Sequence, residues 1–192
     1  MNMLRRMLAG LAIVASVLAT SMAPALAQGA QASSLEQKLQ ALQDHIEIEQ
    51  LLMRYAAAFN TQDADAYVGT FTPDGSLELR RDVDQAPFLG PFTGREALRK
   101  QWFPKGGVSG GRKFGAMRHV TTNCEIHVSG DTATVRAFFM EIVSNGANIP
   151  PGSKPPTLHA MGRYEDELVR LEGRWLFKRR VVITDLNTKW EP

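Results

Sequence analysis

His119, Thr121 and Asn123 stand at alternate positions, with Val120, Cys124 and Ile126 nearby. In a β-strand, residues two apart share a face. An imidazole beside a hydroxyl and an amide would then form a polar strip able to give or take a proton near neutral pH. Such a strip suits enolisation, dehydration or retro-aldol chemistry, with His119 as the acid–base group and Asn123 orienting the reactant. A β-bulge near Asn123 would explain why the apolar residues change phase there. A structural histidine bonded within a sheet is the alternative.

Glu141 lies in phase with Val135, Ala137 and Phe139, which makes it a candidate buried general base. Tyr55 sits four residues before Phe59, where a phenol on an apolar helix face could polarise a carbonyl or hydroxyl. His159 and Tyr164 open a later run with opposite parity, so strict alternation turns at most one of them toward a common cavity. Phe59, Phe71, Trp102, Phe103, Met117, Phe139 and Met140 are candidate walls for an aromatic or polycyclic ligand. Arg118 and Arg163 could anchor an anion or simply be surface charges.

Other chemistries find less support. The four histidines, at 45, 119, 127 and 159, show no short ligand spacing, so no metal site is expected. The Gly-x-Ser-x-Gly pattern at Gly107–Gly111 precedes a strand rather than a helix, so no nucleophile elbow is expected, and Cys124, the single cysteine, reads as a small core filler without an evident base. No glycine signature for nucleotide binding precedes a helix.

The elements that would carry these groups are legible. Four β-rich runs follow one another, Phe114–Val128, Thr132–Ser144, Leu158–Leu171 and Arg174–Leu186. Tight hairpin signals at Ser129-Gly130-Asp131 and Glu172-Gly173 join them, together with a longer Pro/Gly-rich loop, Gly146–Pro156. Ser34 and Gln37 form a capping-box pattern ahead of a long amphipathic helix. Leu35, Leu39, Leu42 and Ile46 mark its first half; Ile48, Leu51, Leu52, Tyr55 and Phe59 mark a rotated second half that should face the sheet. The first half could pack on a second subunit or fold back on its own domain.

Asn60–Asp63 breaks this helix, and Asp63 or Asp65 caps a short one over Ala64–Phe71 that ends at Pro73-Asp74-Gly75. Strands are expected at Ser76–Arg81 and Phe88–Phe92, then a third helix at Arg95–Phe103. A glycine-rich loop should follow over Pro104–Lys113.

The first 27 residues read as a secretory leader. Arg5 and Arg6 precede an apolar stretch, Met7–Leu18, and Ala25-Leu26-Ala27 fits a cleavage site. A retained anchor is the competing reading. Both leader arginines count toward the net charge of +2, so the remaining chain balances its basic residues against 20 acidic ones. A neutral domain offers no reason to expect nucleic acid or an anionic membrane as partner. What remains after cleavage suffices for one well-buried domain, 28–192, of which 28–46 is a helical extension. The expected location is periplasmic or secreted.

Taken in order, several short motifs resemble the SnoaL-like branch of the nuclear-transport-factor-2-like superfamily. They are Ile48–Tyr55, Asp63-Ala64-Asp65, Phe71–Gly75, Phe92–Ala97, Arg118–Asn123, Gly130–Val135, Gly162–Leu168 and Gly173-Arg174-Trp175. The resemblance implies an α+β fold, a cone-shaped roll with three N-terminal helices on a strongly curved, mainly antiparallel sheet of about six strands. It also implies a homodimer and an apolar cavity closed by the first helix. Scytalone-dehydratase-like relatives pair an acid, just after the first-helix aromatic, with a third-strand histidine. His119 matches the histidine, and the acid's place is assigned to Ala57. Ketosteroid-isomerase-like relatives carry a base on the first strand, where Leu79 stands here and Glu78 points the other way.

Two functions follow from this. One is a cofactor-independent lyase, dehydratase or isomerase for a small hydrophobic molecule, using His119, Tyr55, Asn123 and Glu141 with Phe59, Trp102, Met117, Phe139, His159 and Tyr164 around the substrate. The other is a non-catalytic periplasmic binding or assembly domain with the same cavity.

Overall fold

The computed structural model describes residues 34–103, 116–144 and 155–185. The leader and most of the two glycine-rich loops lie outside those residues. Among the described residues, no helix is long and apolar enough to cross a membrane.

Helix α1 spans 34–61. The chain divides into two units, Met1–Gln43 and Asp44–Pro192. In the first, the described residues 34–43 are helical and exposed, Leu35, Leu39 and Leu42 among them. In the second, Ile48, Leu51, Leu52, Tyr55 and Phe59 are buried, at the three- and four-residue spacing that keeps side chains on one helix face. Ile46 remains exposed.

The second unit continues with α2 (Ala64–Val68), β1 (Phe71–Arg80), β2 (Leu89–Thr93) and α3 (Arg95–Trp102), then β3 (Ala116–Ser129), β4 (Thr132–Ser144), β5 (Thr157–Leu171) and β6 (Arg174–Thr184). The strands form one six-stranded sheet in the order β2-β1-β6-β5-β4-β3. All neighbours are antiparallel except β1 and β6, which run parallel. The α+β class and mainly antiparallel sheet are as expected.

Asp63 supplies the α2 cap, its Oδ1 accepting from the Ala66 amide at 2.9 Å, whereas Asp65 pairs with Arg99. That helix ends at Val68 instead of Phe71, because Phe71 already belongs to β1, paired with Phe177. The Pro73-Asp74-Gly75 segment, expected as a turn, therefore lies within a strand whose register shifts between Phe71 and Ser76. The guanidinium of Arg95 holds this irregular start by donating from Nε (3.0 Å) and Nη2 (2.6 Å) to the Phe71 carbonyl.

The β5–β6 turn places Glu172 at φ 52° and Gly173 at φ 73°, the left-handed pair that matches the twist of a two-residue hairpin. Gly162 answers a different constraint. A Cβ there would lie 2.0 Å from the Ile183 carbonyl oxygen, so only hydrogen fits.

An aromatic cluster fills the space between α1 and the sheet. The Tyr55 ring lies within 6.5 Å, centroid to centroid, of Phe59, Tyr67, Phe71, Tyr164 and Phe177. Burial of each such ring contributes roughly 1.5–3 kcal/mol. Three of these residues, Tyr55, Phe59 and Tyr164, also line the cavity described next.

Candidate functional site

Alternation along β3 and β4 turns Met117 and His119, and Phe139 and Glu141, to the same side as the helices. His119 and Glu141 are direct cross-strand partners, a placement that brings side chains on one face close together. Their side chains meet: Nε2 of His119 lies 2.8 Å from Oε1 of Glu141.

β3 is an edge strand, so the outward backbone groups of His119 need a partner from elsewhere. Asn60, near the end of α1, supplies it. Its Oδ1 accepts from the His119 amide at 2.9 Å and lies 3.1 Å from His119 Nδ1. Phe59 packs edge-on against the imidazole, with centroids 4.7 Å apart.

The pair opens on a cavity of about 60 Å³, taken as the space open to water-molecule centres. That is room for several waters or a small ring, since one water needs roughly 10–15 Å³ by the same measure. Tyr55, Phe59, Leu77, Leu79, Trp102, Met117 and Phe139 wall it, with His159, Ala160, Tyr164, Val182 and Thr184 completing the lining. Among the described residues, no lysine or arginine lines it. Burial pushes the Tyr55 phenol up, against the opposing pull of Arg180, and pushes Tyr164 well above the usual tyrosine range. Both therefore stay neutral and able to donate hydrogen bonds at ordinary pH.

Nine of the ten site residues read from the sequence come together here. Asn123 does not. The register of β3 slips between Thr122 and Glu125, and Asn123 is exposed at φ 52°, its Oδ1 accepting from Thr122. The same bulge leaves Cys124 exposed, so it is not a core filler. The expectation that His159 and Tyr164 could not both face the cavity also fails. Glu141 pairs with Ala160 and Ile142 with Leu158, so β5 carries an extra residue at His159 that resets its phase.

Among the proposed walls, Phe71 is fully buried in the aromatic cluster, Phe103 packs on Phe59 and Tyr67, and Met140 points away by alternation with Phe139. Arg118 bonds the Met117 carbonyl, and Arg163 pairs with Glu165 and Asp185, so neither enters the cavity.

Ala57 is exposed; the helix residue that meets the histidine is Asn60, an amide with the shape of an aspartate. Its position directly after Phe59 was the available signal, obscured because Asn60 also reads as a helix breaker. Leu79 lines the cavity as expected, while Glu78 is buried away from it against Arg80 and Arg179. Among the described residues, no three histidine, cysteine or carboxylate groups gather as a metal site.

Below the floor, Arg180 and Asp166 form a fully buried bidentate pair, Nε to Oδ1 at 2.8 Å and Nη2 to Oδ2 at 2.6 Å. The guanidinium stacks on Tyr55, Tyr164 and Phe177 at 4.1, 3.9 and 4.0 Å from their centroids.

Comparison with known proteins agrees with this architecture. Residues 40–181 match the family model described as SnoaL-like domain. The uncharacterized protein Rv2910c of Mycobacterium tuberculosis is 30% identical over 140 residues, covering 73% of this chain and 84% of its own. A solved NTF2-like protein with a cystatin-like fold from Novosphingobium aromaticivorans superposes with a TM-score of 0.62 at 21% identity, covering 82% of this chain and 90% of that one. A candidate scytalone dehydratase from the same organism gives 0.58 at 24% identity, covering 76% and 87%. The chain belongs to the SnoaL-like domain family.

Proposed function

We propose that this protein is a cofactor-independent acid–base enzyme, a lyase, dehydratase or isomerase, acting on a small, neutral molecule with a single ring. The observation that carries this reading is the His119–Glu141 contact at 2.8 Å in the wall of an otherwise largely apolar cavity. A proton-transfer pair in low-dielectric surroundings can pull a proton from carbon while the Tyr55 and Tyr164 phenols polarise an adjacent oxygen. A lining without lysine or arginine among the described residues favours a neutral ligand. The cavity volume favours one ring over several. The fold shared with a candidate scytalone dehydratase is compatible with this chemistry, although a fold alone assigns no reaction. The alternative, a binding domain without catalysis, draws on the same apolar walls and on Leu79 standing where ketosteroid-isomerase-like relatives carry a base.

Incubation in heavy water with acetophenone, indanone and cyclohexanone separates the two. The enzyme should place deuterium on the carbon next to the carbonyl, and Glu141→Gln or His119→Gln should slow this by about 100-fold or more. Ketones that raise the melting temperature yet gain no deuterium above the buffer rate would leave the binding domain as the function.

A further inference from the structure

We infer that Glu141 is the group that exchanges protons with the ligand, that His119 stores the proton behind it, and that Asn60 is a positioning residue fixing the histidine tautomer. This rests on the acid–base reading above and assigns its roles.

The Asn60 atom facing His119 is an oxygen, because a backbone N–H donates to it at 2.9 Å. Amide orientation is normally inferred from such partners. The same oxygen lies 3.1 Å from Nδ1. Two acceptors do not approach so closely without a proton between them, so Nδ1 carries hydrogen. In the neutral ring, Nε2 is then the lone-pair nitrogen. It lies 2.8 Å from a Glu141 oxygen, again a distance that requires one shared proton. The pair therefore holds a single mobile proton, either on the carboxyl or as imidazolium facing carboxylate.

Accessibility then orders the two groups. The His119 side chain is 2% exposed and that of Glu141 is 21% exposed. A ligand in the cavity reaches the carboxylate before the imidazole, which is enclosed by Phe59, Asn60 and Glu141. Among the described residues, the other ionisable groups facing the cavity are His159, Tyr55 and Tyr164. In the forward step, a substrate C–H bond breaks and its proton passes to Glu141, while the proton shared with His119 settles on Nε2. The electron pair left on carbon forms the new double bond and expels a leaving group or delocalises onto a polarised oxygen. Glu141 then returns its proton to the leaving group, to another carbon or to water, and the pair is restored.

Two measurements test this. In the ¹⁵N-labelled protein, His119 signals are assigned by their loss in His119→Gln. Nδ1 should show the shift of a protonated ring nitrogen from mildly acidic to mildly alkaline pH. Asn60→Asp, which keeps an acceptor, should preserve that signature, and Asn60→Leu should lose it. An unprotonated Nδ1 in the wild type, or an unchanged spectrum in Asn60→Leu, overturns the tautomer clamp.

Second, base-promoted ring opening of nitrobenzisoxazole breaks a C–H and an N–O bond and releases a coloured cyanophenolate, without need of the natural substrate. Glu141→Gln should lose about 100-fold or more in kcat/KM, with a smaller loss in His119→Gln. The reverse order overturns the assignment of roles. Wild type that turns over neither this probe nor the ketones overturns the catalytic reading and the Glu141 role together. The spectrum still decides the role of Asn60 independently.

Discussion

Two pairs of opposite polarity lie on the same face of this sheet, and they differ in how completely they are closed. Asp166 and Arg180 face each other across β5 and β6, with both side chains 0% exposed and two short hydrogen bonds fixed by the planar guanidinium. Three aromatic rings sandwich the cation. His119 and Glu141 face each other across β3 and β4, but Glu141 keeps a fifth of its side chain accessible at the cavity. The closed pair is out of reach of a ligand; the open one borders the cavity. Cross-strand pairing creates both, and the position of the cavity decides which is sealed and which stays accessible.

The largest expected effect attacks the closed pair. Asp166→Asn leaves a buried guanidinium without its counter-charge and should cost about 3–5 kcal/mol in urea unfolding. Replacing both partners by apolar residues, Asp166→Leu with Arg180→Met, should recover most of that loss, because desolvation of the ions disappears together with their attraction. If the double variant is as unstable as the single one, the pair contributes more than mutual neutralisation.

Against this, Glu141→Gln should shift unfolding by no more than about 1 kcal/mol while removing proton transfer. A loss of stability as large as that of Asp166→Asn would make the open pair structural too, and the contrast would vanish. Smallest of all, Cys124→Ser at the exposed bulge should stay within about 0.5 kcal/mol of wild type in the same assay. A larger cost would mean that the thiol is covered by another chain in solution.

Much of this architecture could be read before any coordinates. The hairpin at Glu172-Gly173 needs two residues tolerant of positive φ, and the buried face of α1 from Ile48 to Phe59 follows helical spacing. Glu141 was correctly turned inward together with Phe139 by period-two alternation. Where alternation was interrupted, the reading failed. Asn123 left the cavity at one bulge and His159 joined it at another, because one inserted residue reverses every phase beyond it.

The chain's own chemistry thus determined which segments become helix or strand and which residues on each regular stretch face inward, since these depend on periodicity between near neighbours. Tertiary structure alone decided which inward groups touch. Asn60 meets His119 across 59 positions, and Asp166 meets Arg180 rather than some other cation. Such contacts depend on strand order, register and the angle at which a helix crosses the sheet. Those are settled by packing the whole core at once, so no local pattern encodes them.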